Sequence, residues 1–220
     1  HPIKLLIWMK HIQSILERTK KNFLILLRGN RMSHQEQKDY FKTVKDRFPE
    51  AFKNKKVLDI GSYDLNGTNA YLFDDSEVIG LDIAAGPGVD IVCEGQKYDA
   101  PDGSYDVIVS SECWEHNPYY KETIQNAVRM LKEGGFFLFA CATTGRPVHG
   151  LGSQQEEMLK TDPTWTVMPS ARLDNWTTEY YYNVTEEDVR DAIDVDEIFS
   201  SYEFVIEKNH CDLYFWGFKK

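Results

Sequence analysis

The sequence predicts an α/β fold: a mixed, mostly parallel sheet of seven strands with helices on both faces and an antiparallel C-terminal hairpin. Three observations carry this. From Lys56 to Ala142, short apolar runs alternate with longer amphipathic stretches, the pattern of strands joined by crossover helices. The first run, Val57-Leu58-Asp59-Ile60, enters a loop holding Gly61 and Gly67, then the stretch Thr68 to Phe73, whose polar start and apolar continuation suit a helix. The last two runs, Tyr202 to Glu207 and Asp212 to Phe218, are joined by Lys208-Asn209-His210-Cys211 alone, which demands an antiparallel hairpin.

At 220 residues the chain suits one domain with a full core and a small appendage. Apolar residues at 42% and aromatics at 13% mark a chain that buries a core. A net charge of −10 argues against nucleic acid as partner of the whole. The charge is uneven: residues 1–31 carry seven Lys/Arg against one acid, Glu17, and the rest carries 18 bases against 34 acids. An anionic surface is therefore expected to meet the N-terminal segment alone. Cys93, Cys113, Cys141 and Cys211 form no Cys-x-x-Cys pair, which argues against a zinc knuckle or disulfide framework and for a reducing, cytoplasmic location.

Taken in order, the chain begins at His1, which fits a fragment or a processed product. Ile3 to Leu27 is predicted helical, with Leu5, Trp8, Ile12, Ile15, Leu16 and Phe23 near a 3.6-residue period and Lys10, Lys20 and Lys21 between them. Residues 1–31 are thus expected to form a basic amphipathic extension. It suits packing on the domain or on a partner copy first, since amphipathicity is mainly a burial signal, and a peripheral place on an anionic membrane second. No apolar run approaches the roughly 20 residues of a membrane span. Ser33-His34-Gln35-Glu36 reads as a capping box opening a helix to about Phe48, within a main domain of residues 32–220.

The second strand is Glu77 to Ile83, with Asp82 at its end, 21 residues after Gly61. A carboxylate there can accept both hydrogen bonds of a ribose diol. Strands follow at Val89 to Cys93 and Tyr105 to Ser111. A helix over Tyr119 to Leu131 ends in the turn Lys132-Glu133-Gly134-Gly135, and Phe136 to Ala142 is the fifth strand. From Thr143 to about Asn183 the chain is expected to be irregular, long for a connection, and suited to a lid or binding element. Its Arg146, His149, Trp165, Arg172, Trp176 and Tyr180 to Tyr182 suit a polar acceptor and a dimer interface alike. Thr185-Glu186-Glu187-Asp188 caps a short helix through Ile193.

The run Lys56 to Ala70, with Asn66-Gly67 following Gly61, resembles the first motif of class I S-adenosylmethionine-dependent methyltransferases. The form is that of a branch of small methyltransferase-domain proteins with an Asn-Gly pair in place of a denser glycine pattern. Tyr105 to Ser111 followed by Glu112-Cys113-Trp114-Glu115-His116 closely resembles the fourth motif, an aspartate-led strand ending in Glu-His. The resemblance runs from about Lys55 to the C-terminus and implies a Rossmann-like sheet with S-adenosylmethionine as methyl donor. It implies that Asp59, Gly61, Ser62, Asn66 and Gly67 line the donor and that Asp82 and Ile83 lie at its ribose. Glu94 would accept from the adenine amine and the Gly95 N–H would donate to a ring nitrogen. Backbone at Ser111 and Glu112 would line the methionine part.

His116 and His149 are the candidate catalytic residues. An imidazole suits orienting or deprotonating an acceptor, and His116 equally suits capping the next helix. The expected reaction is O-methylation of a small molecule or saccharide. A protein or nitrogen acceptor, or an inactive methyltransferase-like scaffold, are the rival readings. A nicotinamide oxidoreductase is disfavoured by the missing Gly-x-Gly-x-x-G and by the terminal hairpin. No acidic or histidine cluster with metal-ligand spacing is visible, and no metal is expected.

Overall fold

A computed structural model describes residues 35–64, 67–161 and 179–220. The basic extension 1–31, the capping box at Ser33, and Asn66, Trp165, Arg172 and Trp176 lie outside the described residues. Two units are distinguished, His1–Tyr40 and Phe41–Lys220, and the second carries the sheet. No helix among the described residues is long and apolar enough to cross a membrane.

The seven strands are β1 Lys56–Ile60, β2 Glu77–Asp82, β3 Ile91–Val92, β4 Tyr105–Ser111, β5 Leu131–Ala142, β6 Phe199–Glu207 and β7 Asp212–Lys219. Their order across the sheet is β3-β2-β1-β4-β5-β7-β6. The first five run parallel, and β7 enters antiparallel between β5 and β6, as the four-residue connection requires. β1 is central and wholly apolar apart from Asp59 beyond its first residue, as a strand covered on both faces must be.

Alternation along the strands divides the core. Leu58, Ile60, Ile108, Phe137, Phe139, Leu213 and Phe215 join one cluster with Ile124, Ala127 and Val128 of α2 (Tyr120–Met130) and Val189 of α4 (Glu186–Ala192). On the other face, Phe136 and Trp216 meet Phe48, whose ring lies 4.7 Å from that of Trp216, and Phe52 packs 5.7 Å from Phe136. Phe48 follows the helix over residues 35–47 (α1), so helical segments lie on both faces, as expected. Thr185 closes the capping box of α4 through its bonds with Asp188.

Four local expectations change. The stretch after the glycine loop forms a single 3-10 turn, Asn69–Leu72, and not a full helix. Phe73 and Asp74 are drawn back at once: the Asp74 N–H donates to the Phe52 carbonyl at 2.8 Å and the Asn54 N–H to that of Asp74 at 3.0 Å. β3 keeps two residues, because Gly86-Pro87-Gly88 and Val89 curl over β2 and leave only Leu81↔Ile91 and Asp82↔Val92 in register. The turn at Lys132–Gly135 is a bulge inside β5, which pairs Leu131 with Tyr105 before it and Phe136 with Val107 after it. The region after Thr143 is not irregular throughout, since Gly152–Thr161 forms α3.

Asp59 ties this frame to the glycine loop. It is 1% exposed and accepts from the Asn69 N–H at 3.2 Å and from Asn69 Nδ2 at 2.8 Å, while the same Nδ2 reaches Ser111 Oγ at 3.1 Å. Burial lifts the Asp59 carboxyl from 3.8 to about 7, outweighing the Asn69 donors. The native state therefore binds the Asp59 proton across a window in which the unfolded chain has lost it. Its stabilising contribution is full below pH 3.8 and is lost as the pH rises to about 7. In urea unfolding, Asp59→Asn is expected to flatten the fall of stability across that window relative to wild type. Parallel profiles for the two proteins would contradict the assignment.

Candidate functional site

The carboxyl ends of β1, β2 and β4 open together where the strand order reverses, the usual place for a ligand in an open α/β sheet. Gly61 leaves β1 with φ +79, and a Cβ there would sit 2.7 Å from Cys113 Cβ, so conformation and contact both require glycine. The Gly61 and Ser62 N–H groups donate to the Leu81 carbonyl at 2.8 and 3.2 Å. The Ser62 hydroxyl is buried beside Gly80 with no hydrogen-bond partner. Gly67 donates its N–H to Asp64 Oδ1 at 2.6 Å and closes the loop.

Asp82 ends β2 beside this loop. Its Oδ2 accepts from the Tyr63 N–H at 3.3 Å and its Oδ1 from the Ala84 N–H at 3.0 Å, which fixes the carboxylate plane. Each oxygen keeps a second lone pair, as a ribose diol needs. Burial raises the Asp82 carboxyl above its ordinary value, against those backbone donors. Ile83 follows directly, where β2 has ended. The Glu94 side chain folds onto its own turn instead of standing open: its oxygens accept from Gln96 Nε2 and Lys97 Nζ, each at 2.7 Å. Gly95 is buried under α2, where a Cβ would lie 2.6 Å from Thr123 Cγ2. Its carbonyl accepts from Asn126 Nδ2 at 2.8 Å.

Beyond β4 the chain makes a sharp turn. Glu112 has φ +52, a left-handed conformation uncommon for a side-chain-bearing residue, and its N–H donates to the Ala140 carbonyl at 2.9 Å. Ser111 meets Asn69 through its hydroxyl, so its side chain is structural. Trp114 and Glu115 turn inward, both 0% exposed. Glu115 Oε1 accepts from the Ala142 N–H at 3.3 Å, and its carboxyl hydrogen-bonds with that of Glu112. The His116 ring lies 5.2 Å from that of His149 and 5.5 Å from that of Tyr181, and the His149 and Tyr181 rings are 4.9 Å apart.

Arg146 runs beneath this group. Its Nη1 donates to Asp212 Oδ1 at 3.0 Å and to the His210 carbonyl at 2.7 Å, and its Nη2 lies 3.8 Å from Glu112 Oε2. Burial dominates the protonation of the cluster. It lowers His116 to about 3, helped by His149 and Arg146, and lowers His149 as well, so both imidazoles are neutral at pH 7. It raises Glu115 to about 7 and Asp212 to about 6, and lifts Glu112 well above the ordinary carboxylate range.

The structure thus brings the two candidate histidines together and sets Gly61 and Asp82 on adjoining strand ends. Two further residues of the site, Glu115 and Asp212, escaped sequence reasoning as functional groups, and Tyr181 was named only within the acceptor-suited loop. Glu115 was readable only as the neighbour of His116, and Tyr181 only as one of a run of tyrosines. Linear spacing showed no metal-ligand cluster, and in space one candidate grouping forms among the described residues. Ligand atoms of Glu115, His116 and His149 all lie within 4.8 Å of one another. They come from loops after two different strands, which linear spacing does not reveal.

Residues 32–192 match a protein family described as Methyltransferase domain. No curated protein sequence matches the chain. Solved structures resemble it at low identity. The 1,6-didemethyltoxoflavin-N1-methyltransferase of Burkholderia thailandensis aligns with TM-score 0.55 and 14% identity, over 87% of this chain and 82% of its own. Phosphoethanolamine N-methyltransferase 2 of Haemonchus contortus aligns with TM-score 0.52 and 14% identity, over 82% of this chain and 52% of its own. The YcgJ protein of Bacillus subtilis aligns with TM-score 0.50 and 13% identity, over 85% and 99%. Such likeness speaks for the fold, and the family match covers most of the chain. With the glycine turn, the Asp82 carboxylate and the reversal point fitting a nucleoside donor, the chain is an enzyme of the class I S-adenosylmethionine-dependent methyltransferase family, which uses S-adenosylmethionine and releases S-adenosylhomocysteine.

Proposed function

We propose that this enzyme methylates a hydroxyl oxygen of a small molecule or saccharide held against His116, His149 and Tyr181. The observation that carries the reading is the convergence of two neutral imidazoles and a phenol beyond the end of β4, beside the expected donor loop. Bound S-adenosylmethionine supplies a methyl group already activated on a sulfonium, so the protein's task is chiefly alignment. In this reading Asp82 takes the ribose diol, the Gly61 turn lets backbone approach the donor, and the backbone after Ser111 flanks its methionine part.

His116 holds a narrower role than the sequence suggested. A ring kept neutral by burial accepts a hydrogen bond from an acceptor hydroxyl and fixes its direction. With a pKa near 3 it is a weak base, poorly matched to removing that proton at neutral pH. Glu94 keeps a second lone pair on each oxygen beside its bonds from Gln96 and Lys97, as an adenine amine would need.

Calorimetric titration of S-adenosylmethionine into wild type and Asp82→Ala tests the donor site. The variant is expected to bind about tenfold more weakly or worse, about 1.4 kcal/mol. Equal affinity would remove Asp82 from the site. Methyl-labelled donor offered with panels of hydroxylated and amine compounds tests the acceptor class. Label is expected on oxygen, with turnover falling about 100-fold or more in His149→Ala. Transfer to amines alone would overturn the oxygen reading.

A further inference from the structure

We infer that Glu115, His116 and His149 form a binding site for one divalent first-row transition-metal ion, placed so that an acceptor oxygen completes its coordination. The geometry is close to that of a formed site. Ligands around such an ion stand about 2.0–2.2 Å from it, hence at most about 4.4 Å apart. The present limit of 4.8 Å closes to that by a few tenths of an ångström of side-chain rotation.

The hydrogen bonds leave a ligand atom of His149 free. His149 Nδ1 lies 3.0 Å from the Pro147 carbonyl, which can only accept, so Nδ1 carries the proton and Nε2 presents its lone pair. A ligating histidine is oriented by such a bond from its other nitrogen. Glu115 is held in the same manner: Oε1 takes the Ala142 N–H, and its carboxyl hydrogen-bonds with that of Glu112 on the same turn, in a residue that is 0% exposed.

Charge points the same way. Three carboxyl groups, Glu112, Glu115 and Asp212, gather where Arg146 pairs with Glu112 and Asp212, so the site offers more carboxyl groups than cationic partners. Glu112 lies on the same turn as Glu115 and His116. Two imidazoles with a carboxylate select a first-row transition ion over Mg2+ or Ca2+, which favour all-oxygen sites. Three protein ligands leave coordination positions open, as in catalytic sites.

The acceptor part of the inference rests on the function proposed above. A hydroxyl on the open position would give up its proton more readily. The oxygen lone pair then forms the O–CH3 bond, the S–CH3 bond breaks with its electrons passing to sulfur, and the proton leaves to water.

The test uses the full chain after dialysis against a chelator. Zn2+ and Mn2+ are titrated calorimetrically, and Co2+ is followed by its visible absorption. One ion per chain is expected, with affinity falling about 100-fold in His116→Ala and His149→Ala and unchanged in His210→Ala. Glu115→Gln serves as a further variant where it folds. S-adenosylmethionine binding measured on the same samples reports folding. Absence of saturable metal binding in wild type, or equal binding by the His116 and His149 variants, would overturn the site. Metal binding with the expected dependence in a chain that takes no S-adenosylmethionine would keep the site and defeat the proposed function instead.

Discussion

The parallel pairing of β1 with β2 on one side and β4 on the other is the constraint from which the site follows. Ile60 stands opposite Leu81 in one strand and Ser110 in the other. The chain reaches these neighbours by crossovers that leave in opposite directions, so the loops after β1 and β4 diverge and open a crevice between them. Into it come the Gly61 turn, the Asp82 carboxylate and the Glu112–His116 turn. The register also carries Asp59 inward, where Asn69 joins it to Ser111 and so links the glycine loop to the end of β4.

Buried charge is the second theme. A core built on Phe137, Phe139 and Phe215 has no ready means of solvating Glu115 or Asp212, and desolvation above all, with neighbouring carboxylates, pushes both carboxyls up. Arg146 compensates in part, by ion pairing with Asp212 and Glu112. What it leaves uncompensated lies next to two neutral imidazoles. Such an arrangement costs stability.

Much of the architecture was legible because burial on both faces writes strands as continuous apolar runs, and because a four-residue connection admits only a hairpin. Asp82 was legible for the same reason, as a carboxylate at a strand end a fixed distance past a glycine turn. The missing helix after Thr68 was not, since it depends on Asp74 bonding to Phe52 and Asn54, contacts that local propensity does not encode. The bonds that Glu94 accepts from Gln96 and Lys97 were not legible, because sequence does not give side-chain direction. His116 and His149 could be named singly but not as a pair with Glu115, for their meeting depends on how the loops after β4 and β5 fold toward each other.

The central claim is that one crevice holds a methyl donor on the β1–β2 side and a metal-ligating cluster beyond β4. A crystal structure grown with S-adenosylhomocysteine and Mn2+ or Zn2+, with anomalous scattering measured at the metal edge, tests it most directly. The account predicts the ribose diol on Asp82 and one anomalous peak bounded by Glu115, His116 and His149. Nucleoside density away from Asp82, or a cluster without a peak at saturating metal, would contradict it.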